Sequence, residues 1–103
     1  MKFSNQEIES GFKAFFQLVT SNKNKTFQVE MPYGDILNLK YDMDFEDDSS
    51  STDDDISQND LDEFNTISFF IIKVVDNLTK EYKKGNIILI NYRNLPTSYK
   101  IID

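Results

Sequence analysis

Neither cysteine nor histidine occurs among the 103 residues of the sequence. Without cysteine, the chain can form no disulfide, offers no thiol nucleophile and cannot build the common zinc and iron–sulfur sites. Without histidine, it lacks the side chain that most often shuttles protons near neutral pH. These absences exclude much of enzyme chemistry, and we expect no catalytic residues, no cofactor and no metal site.

Short catalytic and targeting signals are missing as well. The sequence contains no GxxxxGK, GxGxxG, HExxH or GxSxG pattern, the signatures of phosphate loops, dinucleotide sites, metalloproteases and serine hydrolases. The opening MKFSNQEIES lacks the basic segment and continuous apolar run of a signal peptide, and no apolar run approaches the ~20 residues that cross a bilayer. We therefore expect a cytoplasmic protein that is not an enzyme.

Basic residues are absent between Lys40 and Lys73, a stretch that contains eleven of the eighteen acidic residues. Its formal charge is −11, whereas the other seven acids and the eleven bases sum to +4. The net charge of −7 therefore conceals a strongly polarised molecule. A field of this sign disfavours DNA, RNA and anionic membranes, and it favours a basic protein as the partner.

A helix is predicted over residues 5–20. Ser4 and Glu7 have the spacing of a capping box, and Phe3 and Ile8 that of the accompanying hydrophobic staple. Apolar side chains then recur at helical spacing and predict one buried stripe. The stripe comprises Ile8, Phe12, Phe15, Phe16 and Val19.

Alternating apolar and polar residues predict two strands, at residues 26–31 and 37–45, joined by a turn at residues 32–35. Residues 64–75 are apolar and β-branched on both faces, as in a central strand. Residues 86–92 and 97–102 have the composition of two further strands.

Residues 76–84 fit either a short helix or an extension of the flanking strands into a hairpin, and we favour the hairpin. The expected fold is α+β: one N-terminal amphipathic helix packed on an antiparallel sheet of about five strands. At 103 residues, the whole chain, 1–103, is expected to form a single domain.

Residues 45–63 are predicted to form a long, acidic, mobile loop between the second and third strands. Only two large apolar side chains lie in residues 46–62, too few to offset ~1 to 2 kcal/mol of backbone entropy per ordered residue. The segment could be a solvated linker, a docking element for a basic partner, a calcium ligand set without the EF-hand spacing, or a kinase acceptor at Ser50, Ser51 and Thr52.

Two carboxylates of the second strand, Asp42 and Asp44, are expected on one face at about 7 Å from each other. Such a pair could act as acid and base in glycoside hydrolysis, but a domain with one helix leaves little room for a deep substrate cleft. We therefore interpret them as solvent-facing binding residues.

These features favour a small inhibitor that binds a cationic protein, such as an immunity protein that neutralises a bacterial toxin with a basic, nuclease-like site. Carboxylates would occupy the surface meant for phosphates. The expected contact residues fall into a rigid group on the second strand, a mobile extension that steers association, and one aromatic anchor near a turn. They are Asp42, Asp44, Glu46, Asp47 and Asp48 in the first group, Asp53, Asp54 and Asp55 in the second, and Tyr33 as the anchor.

Two other functions remain open from the sequence. A phage-type DNA mimic that inhibits restriction or CRISPR enzymes also needs a negative surface, but with carboxylates in two rows that follow a phosphate backbone. A structural or regulatory subunit could instead dimerise through its central strand, at residues 67–75. We expect a monomer or a weak homodimer.

Overall fold

The computed structural model describes residues 3–48 and 63–102. Within these residues, two short helices pack on one five-stranded antiparallel sheet, and the expected α+β fold is confirmed. The strands lie in the order β4-β3-β2-β1-β5. The elements are α1 (Asn5–Glu9), α2 (Phe12–Thr20), β1 (Thr26–Glu30), β2 (Ile36–Asp48), β3 (Glu63–Asp76), β4 (Ile87–Ile90) and β5 (Ser98–Ile101).

The core lies between the helices and one face of the sheet, here called the helix-bearing face. Phe15 of α2 is fully buried, and its ring centroid lies 6.1 Å from that of Phe69 on β3 and 4.7 Å from that of Tyr99 on β5. Phe27 of β1 also packs on Phe69, and their ring centroids are 6.2 Å apart. Aromatic burial of this kind removes the largest apolar areas from water and so fixes the helical layer on the sheet.

The single helix expected over residues 5–20 is in fact two helices. Gly11 separates them with a backbone φ of 89°, in the left-handed region that suits glycine and strains other residues. The change of direction turns Ile8 out of the expected stripe, leaving it 51% exposed, while the four remaining members are buried. Phe3 packs edge-on against Phe16, with their ring centroids 5.3 Å apart.

The predicted capping box is present at the start of α1. The Glu7 amide donates to Ser4 Oγ at 3.2 Å, and the Ser4 amide donates to Glu7 Oε1 at 2.9 Å. Glu7 is fully buried, and its second oxygen accepts the backbone N–H of Asn65 at 2.8 Å and the Asn65 side-chain amide at 3.2 Å. One carboxylate therefore caps α1 and joins it to β3.

Both ends of the acidic loop expected at residues 45–63 are strand residues instead. β2 continues to Asp48 and β3 begins at Glu63, so that residues 45–48 and 63 belong to paired strands. Pairing between β2 and β3 supplies hydrogen-bond partners for the backbone N–H and C=O groups of these residues. Residues 49–62 lie outside the described part of the chain.

The connection at residues 77–86 is neither of the two structures considered from the sequence. It contains no helix and no strand, although all ten residues are described. The buried Asp35 carboxylate holds it, accepting the Thr79 backbone N–H at 3.0 Å and the Thr79 hydroxyl at 2.8 Å. Burial alone would raise the pKa of Asp35, but these hydrogen bonds and one from Leu78 outweigh it, so the pKa lies below its usual value.

The last strand pairs with the first. After β4, residues 91–97 run from one edge of the sheet to the other, and β5 pairs with β1 from Glu30↔Ser98 to Phe27↔Ile101. β4 and β5 therefore form the two edges of the sheet. Neither helix in the described residues is long and apolar enough to cross a membrane.

We predict that Gly11→Ala destabilises the protein by about 1 kcal/mol, because alanine is strained at a left-handed φ. If the helix were continuous at this position, Gly11→Ala would instead stabilise the protein, because alanine is more favourable than glycine inside a helix by up to ~1 kcal/mol. Urea unfolding followed by circular dichroism measures the difference. Ala14→Gly is the matched control and should destabilise the protein, since Ala14 is an exposed position inside α2.

We predict that Glu7→Gln lowers the free energy of unfolding by about 2 kcal/mol. The substitution replaces one acceptor oxygen by an amide that donates, so that at least one buried N–H group of Ser4 or Asn65 loses its acceptor. Glu9→Gln is the control, because Glu9 is exposed on the same helix. Equal effects of the two substitutions in urea unfolding would contradict a special role for the Glu7 carboxylate.

Candidate acidic interface

The outer half of β2 is an open strand edge. The pairing of β1 with β2 ends at Thr26↔Lys40, whereas the pairing of β2 with β3 continues to Asp48↔Glu63. From residue 41 to residue 48, β2 therefore has β3 on one side and no paired strand on the other, among the residues that the structure describes. Backbone N–H and C=O groups on an open edge are available to an incoming strand.

Asp42 and Asp44 lie on opposite faces of the sheet, so the expectation that they share one face is wrong. The β2–β3 register shifts between Tyr41 and Met43, which leaves Asp42 as the extra residue of a bulge. Asp42 accepts a hydrogen bond from Ser68 Oγ at 3.0 Å on the face opposite the helices, here called the open face. Asp44 pairs with the core residue Ile67 and lies on the helix-bearing face. This separation removes the geometric basis for an acid–base pair.

Tyr41 positions Asp44. Its hydroxyl donates a hydrogen bond to Asp44 Oδ2, and the Lys23 ammonium lies over its ring, 5.2 Å from the ring centroid. Burial, this hydrogen bond, and the negative charges of Asp44 and Asp42 together raise the pKa of Tyr41 to about 12. The hydroxyl therefore stays protonated and keeps donating to the carboxylate at physiological pH.

The other expected acidic contacts continue along the same strand or leave the described part of the chain. Glu46 is exposed and pairs with Asn65, on the helix-bearing side with Asp44. The backbones of Asp47 and Asp48 complete β2. We call the segment from Asp42 to Asp48 the acidic edge. The expected mobile extension, Asp53, Asp54 and Asp55, lies outside the described residues.

Tyr33 does not join this group. Among the large apolar and aromatic side chains that the structure describes, it is the most exposed, at 79%, as its place in the β1–β2 turn predicted. That turn, however, lies at the opposite end of β2, about 25 Å from Asp44 by the rise of an extended strand. One compact partner surface would have to span most of the sheet to contact both.

Tyr41 and Ser68 orient the acidic edge through their hydrogen bonds to Asp44 and Asp42, and neither role is predictable from the sequence. On a regular strand, residues three apart such as Tyr41 and Asp44 point to opposite faces, and only the bulge brings them together. No local sequence pattern signals this bulge.

No group of three or more acidic side chains in the described residues is placed to hold a metal ion. No protein-family model matches the chain, and no curated protein or solved structure is similar enough to it to count as a match.

We predict that Asp44→Asn lowers the pKa of Tyr41 from about 12 toward its ordinary value of 10.0, because it removes the adjacent negative charge and weakens the acceptor. A pH titration of the tyrosine ring carbons by NMR measures this, with Tyr41→Phe to assign the resonance. Since the folded state holds the proton more tightly, the free energy of unfolding should fall as the pH rises between these two values. Asp76→Asn, at the far end of β3, should leave the titration unchanged.

Proposed function

We propose that this chain is a non-catalytic cytoplasmic binding protein that captures a basic protein through its acidic edge. In this proposal it acts as an immunity protein that neutralises a bacterial toxin such as a nuclease. One observation supports this most directly: the carboxylates of Asp42, Asp44 and Glu46 sit on an ordered strand whose other side is open among the described residues.

An open edge supports binding by strand addition. A partner segment in extended conformation can hydrogen-bond to the backbone of residues 41–48, and its alternating side chains then decide specificity. Asp42 lies on the open face and Asp44 and Glu46 lie on the helix-bearing face. A neighbouring strand would thus meet carboxylates on both sides, which favours lysine and arginine over other residues in the partner.

Electrostatics support the same partner at longer range. The stretch between Lys40 and Lys73 carries a formal charge of −11, and its described residues belong to the paired strands β2 and β3. Such a field raises the rate of encounter with a basic surface toward ~10⁸ M⁻¹s⁻¹ at low salt, and salt weakens it. A toxin whose basic site binds phosphates would be blocked by carboxylates held in their place.

The alternative of a DNA mimic gains no comparable support. A mimic needs two rows of ordered carboxylates with the spacing of a phosphate backbone. In the part of the chain that the structure describes, the ordered carboxylates of the acidic edge come from the single strand β2.

The test is capture of a partner from the native lysate on the immobilised chain, comparing wild type with a double variant, Asp44→Asn with Glu46→Gln. The matched control is Glu9→Gln with Glu30→Gln, which removes two exposed charges elsewhere. We expect wild type and control to retain a basic protein that elutes as the salt concentration rises. The acidic-edge variant should retain it about tenfold more weakly.

Function is then measured on the captured protein. Wild type and control should inhibit its nuclease or other toxic activity at equimolar amounts, and the acidic-edge variant should inhibit it less. Equal capture by all three proteins, or a captured protein without a basic surface, would show that the acidic edge only keeps the strand soluble.

A further inference from the structure

A shallow hollow of about 570 Å³ lies beside β3, at the end of the sheet opposite the acidic edge. β4 pairs with β3 only as far as Phe70, and two backbone hydrogen bonds extend the contact to Ile71. Beyond Ile71, the connection at residues 77–86 runs apart from β3, and the hollow lies between them. The short length of β4 therefore leaves this space beside the longer strand.

Three lysines line the hollow: Lys73 from β3, and Lys83 and Lys84 from the connection. Among the described residues, no acidic side chain lines it, and none of the three lysines forms an ion pair. Like charges placed around one space repel each other, and an anion bound between them would relieve that repulsion. In a chain whose net charge is −7, these three ammonium groups are therefore available to an anion from outside.

Hydrogen bonds hold both ends of the connection in place. The Gly85 N–H donates to the Ile71 carbonyl at 2.7 Å, and the Ile71 N–H donates to the Asn86 carbonyl at 2.9 Å. Gly85 has a φ of 91°, which lets the chain turn directly after the two lysines. At the other end, the Asp35 carboxylate binds Thr79. A site that is ordered before binding loses less conformational entropy when its ligand arrives.

The rest of the lining combines apolar surface with uncharged donors. Ile72 and Val74 of β3 contribute aliphatic side chains, and Tyr82 contributes a half-buried ring. Asn77 can donate through its side-chain amide. Burial and the negative charges of nearby carboxylates raise the pKa of Tyr82, so its hydroxyl remains a donor at physiological pH. A ligand that matches this lining has an anionic group and an apolar part.

We propose that the hollow binds a small, soluble phosphate monoester with an apolar or aromatic organic group. Near neutral pH, such a monoester carries a charge of about −1.5 to −2 and has three strong acceptor oxygens, which lysines bind as point charges. The hollow is larger than a phosphate ion requires, and its volume lies within the ~300 to 1,000 Å³ of small-molecule sites. The organic group would occupy the remaining space, against Ile72, Val74 and the Tyr82 ring.

The charge of the whole chain favours a small ligand over a nucleic acid or an anionic membrane. The net charge of −7 repels every phosphate of an extended polyanion, whereas a small ligand presents only one. Lys73 pairs with Asn38, and Asp44 lies about 20 Å farther along β2. This distance exceeds the Debye length of about 8 Å at physiological ionic strength. Ligand binding in the hollow and capture of a basic partner can therefore succeed or fail independently.

Titration of the full chain with phenyl phosphate at low salt, followed by two-dimensional NMR of the backbone amides, tests the proposal. We expect saturable shifts at residues 72–74, 77 and 82–84, with a Kd of roughly 1 mM or tighter. Lys83→Gln combined with Lys84→Gln should weaken binding at least about tenfold, because it removes two of the three ammonium groups. The matched control is Lys25→Gln combined with Lys100→Gln, which makes the same change in net charge at exposed positions outside the hollow.

The control should bind phenyl phosphate as wild type does, and circular dichroism establishes that each variant is folded. Equal binding by the two double variants would show that the lysines of the hollow are not special. The absence of saturable shifts in the wild-type chain up to roughly 10 mM phenyl phosphate also overturns the proposal.

Three further probes test the chemical class of the ligand. Phenyl sulfate has a similar shape but a single negative charge, and it should bind about tenfold more weakly. Inorganic phosphate lacks the organic group and should also bind about tenfold more weakly. Vesicles that contain phosphatidic acid present the same monoester at a membrane and should not sediment with the chain. Binding of either ion as tightly as phenyl phosphate, or sedimentation with the vesicles, overturns the assignment to a soluble monoester.

Discussion

The buried carboxylate of Glu7 holds the helical layer and the sheet in one arrangement. It accepts the Ser4 amide at the start of α1 and two N–H groups of Asn65 on β3, a residue 58 positions away. A buried charge is costly unless donors surround it, so α1 cannot leave β3 without breaking the hydrogen bonds from both N–H groups of Asn65 to the carboxylate. Because Asn65 pairs with Glu46, the same contact supports the strand on which the acidic edge depends.

The unequal lengths of the strands generate both candidate surfaces. β2 and β3 have 13 and 14 residues, while β1 has five and β4 has four. The short strands cover only part of the long pair, so one side of β2 stays open beyond Lys40 among the described residues. The helices cover only one face, so the central part of β3 presents Phe70 and Ile72 on the other. The open edge and the exposed face are consequences of the same mismatch in length.

Patterns with a fixed period were predictable from the sequence, whereas interruptions of that period were not. Alternation located β1 and residues 37–45 of β2, and a run of apolar and β-branched residues located β3. The spacing of Ser4 and Glu7 located the start of α1. The bulge at Asp42 shifts the period by one residue, and pairing with a particular position of β3 creates it. The partnership of Glu7 with Asn65 is likewise set by the tertiary fold, and nothing near Glu7 in the sequence indicates it.

The pairing of β5 with β1 has a consequence for synthesis of the chain. Phe27 pairs with Ile101, so β1 gains its second neighbour only after residues 98–101 have left the ribosome. Until then β1 is an outer strand, and Phe15 lacks Tyr99 as a packing partner. Contacts between residues so distant along the chain form slowly. The nascent protein therefore passes through a stage with an additional unprotected edge, at which chaperones or other nascent chains can bind.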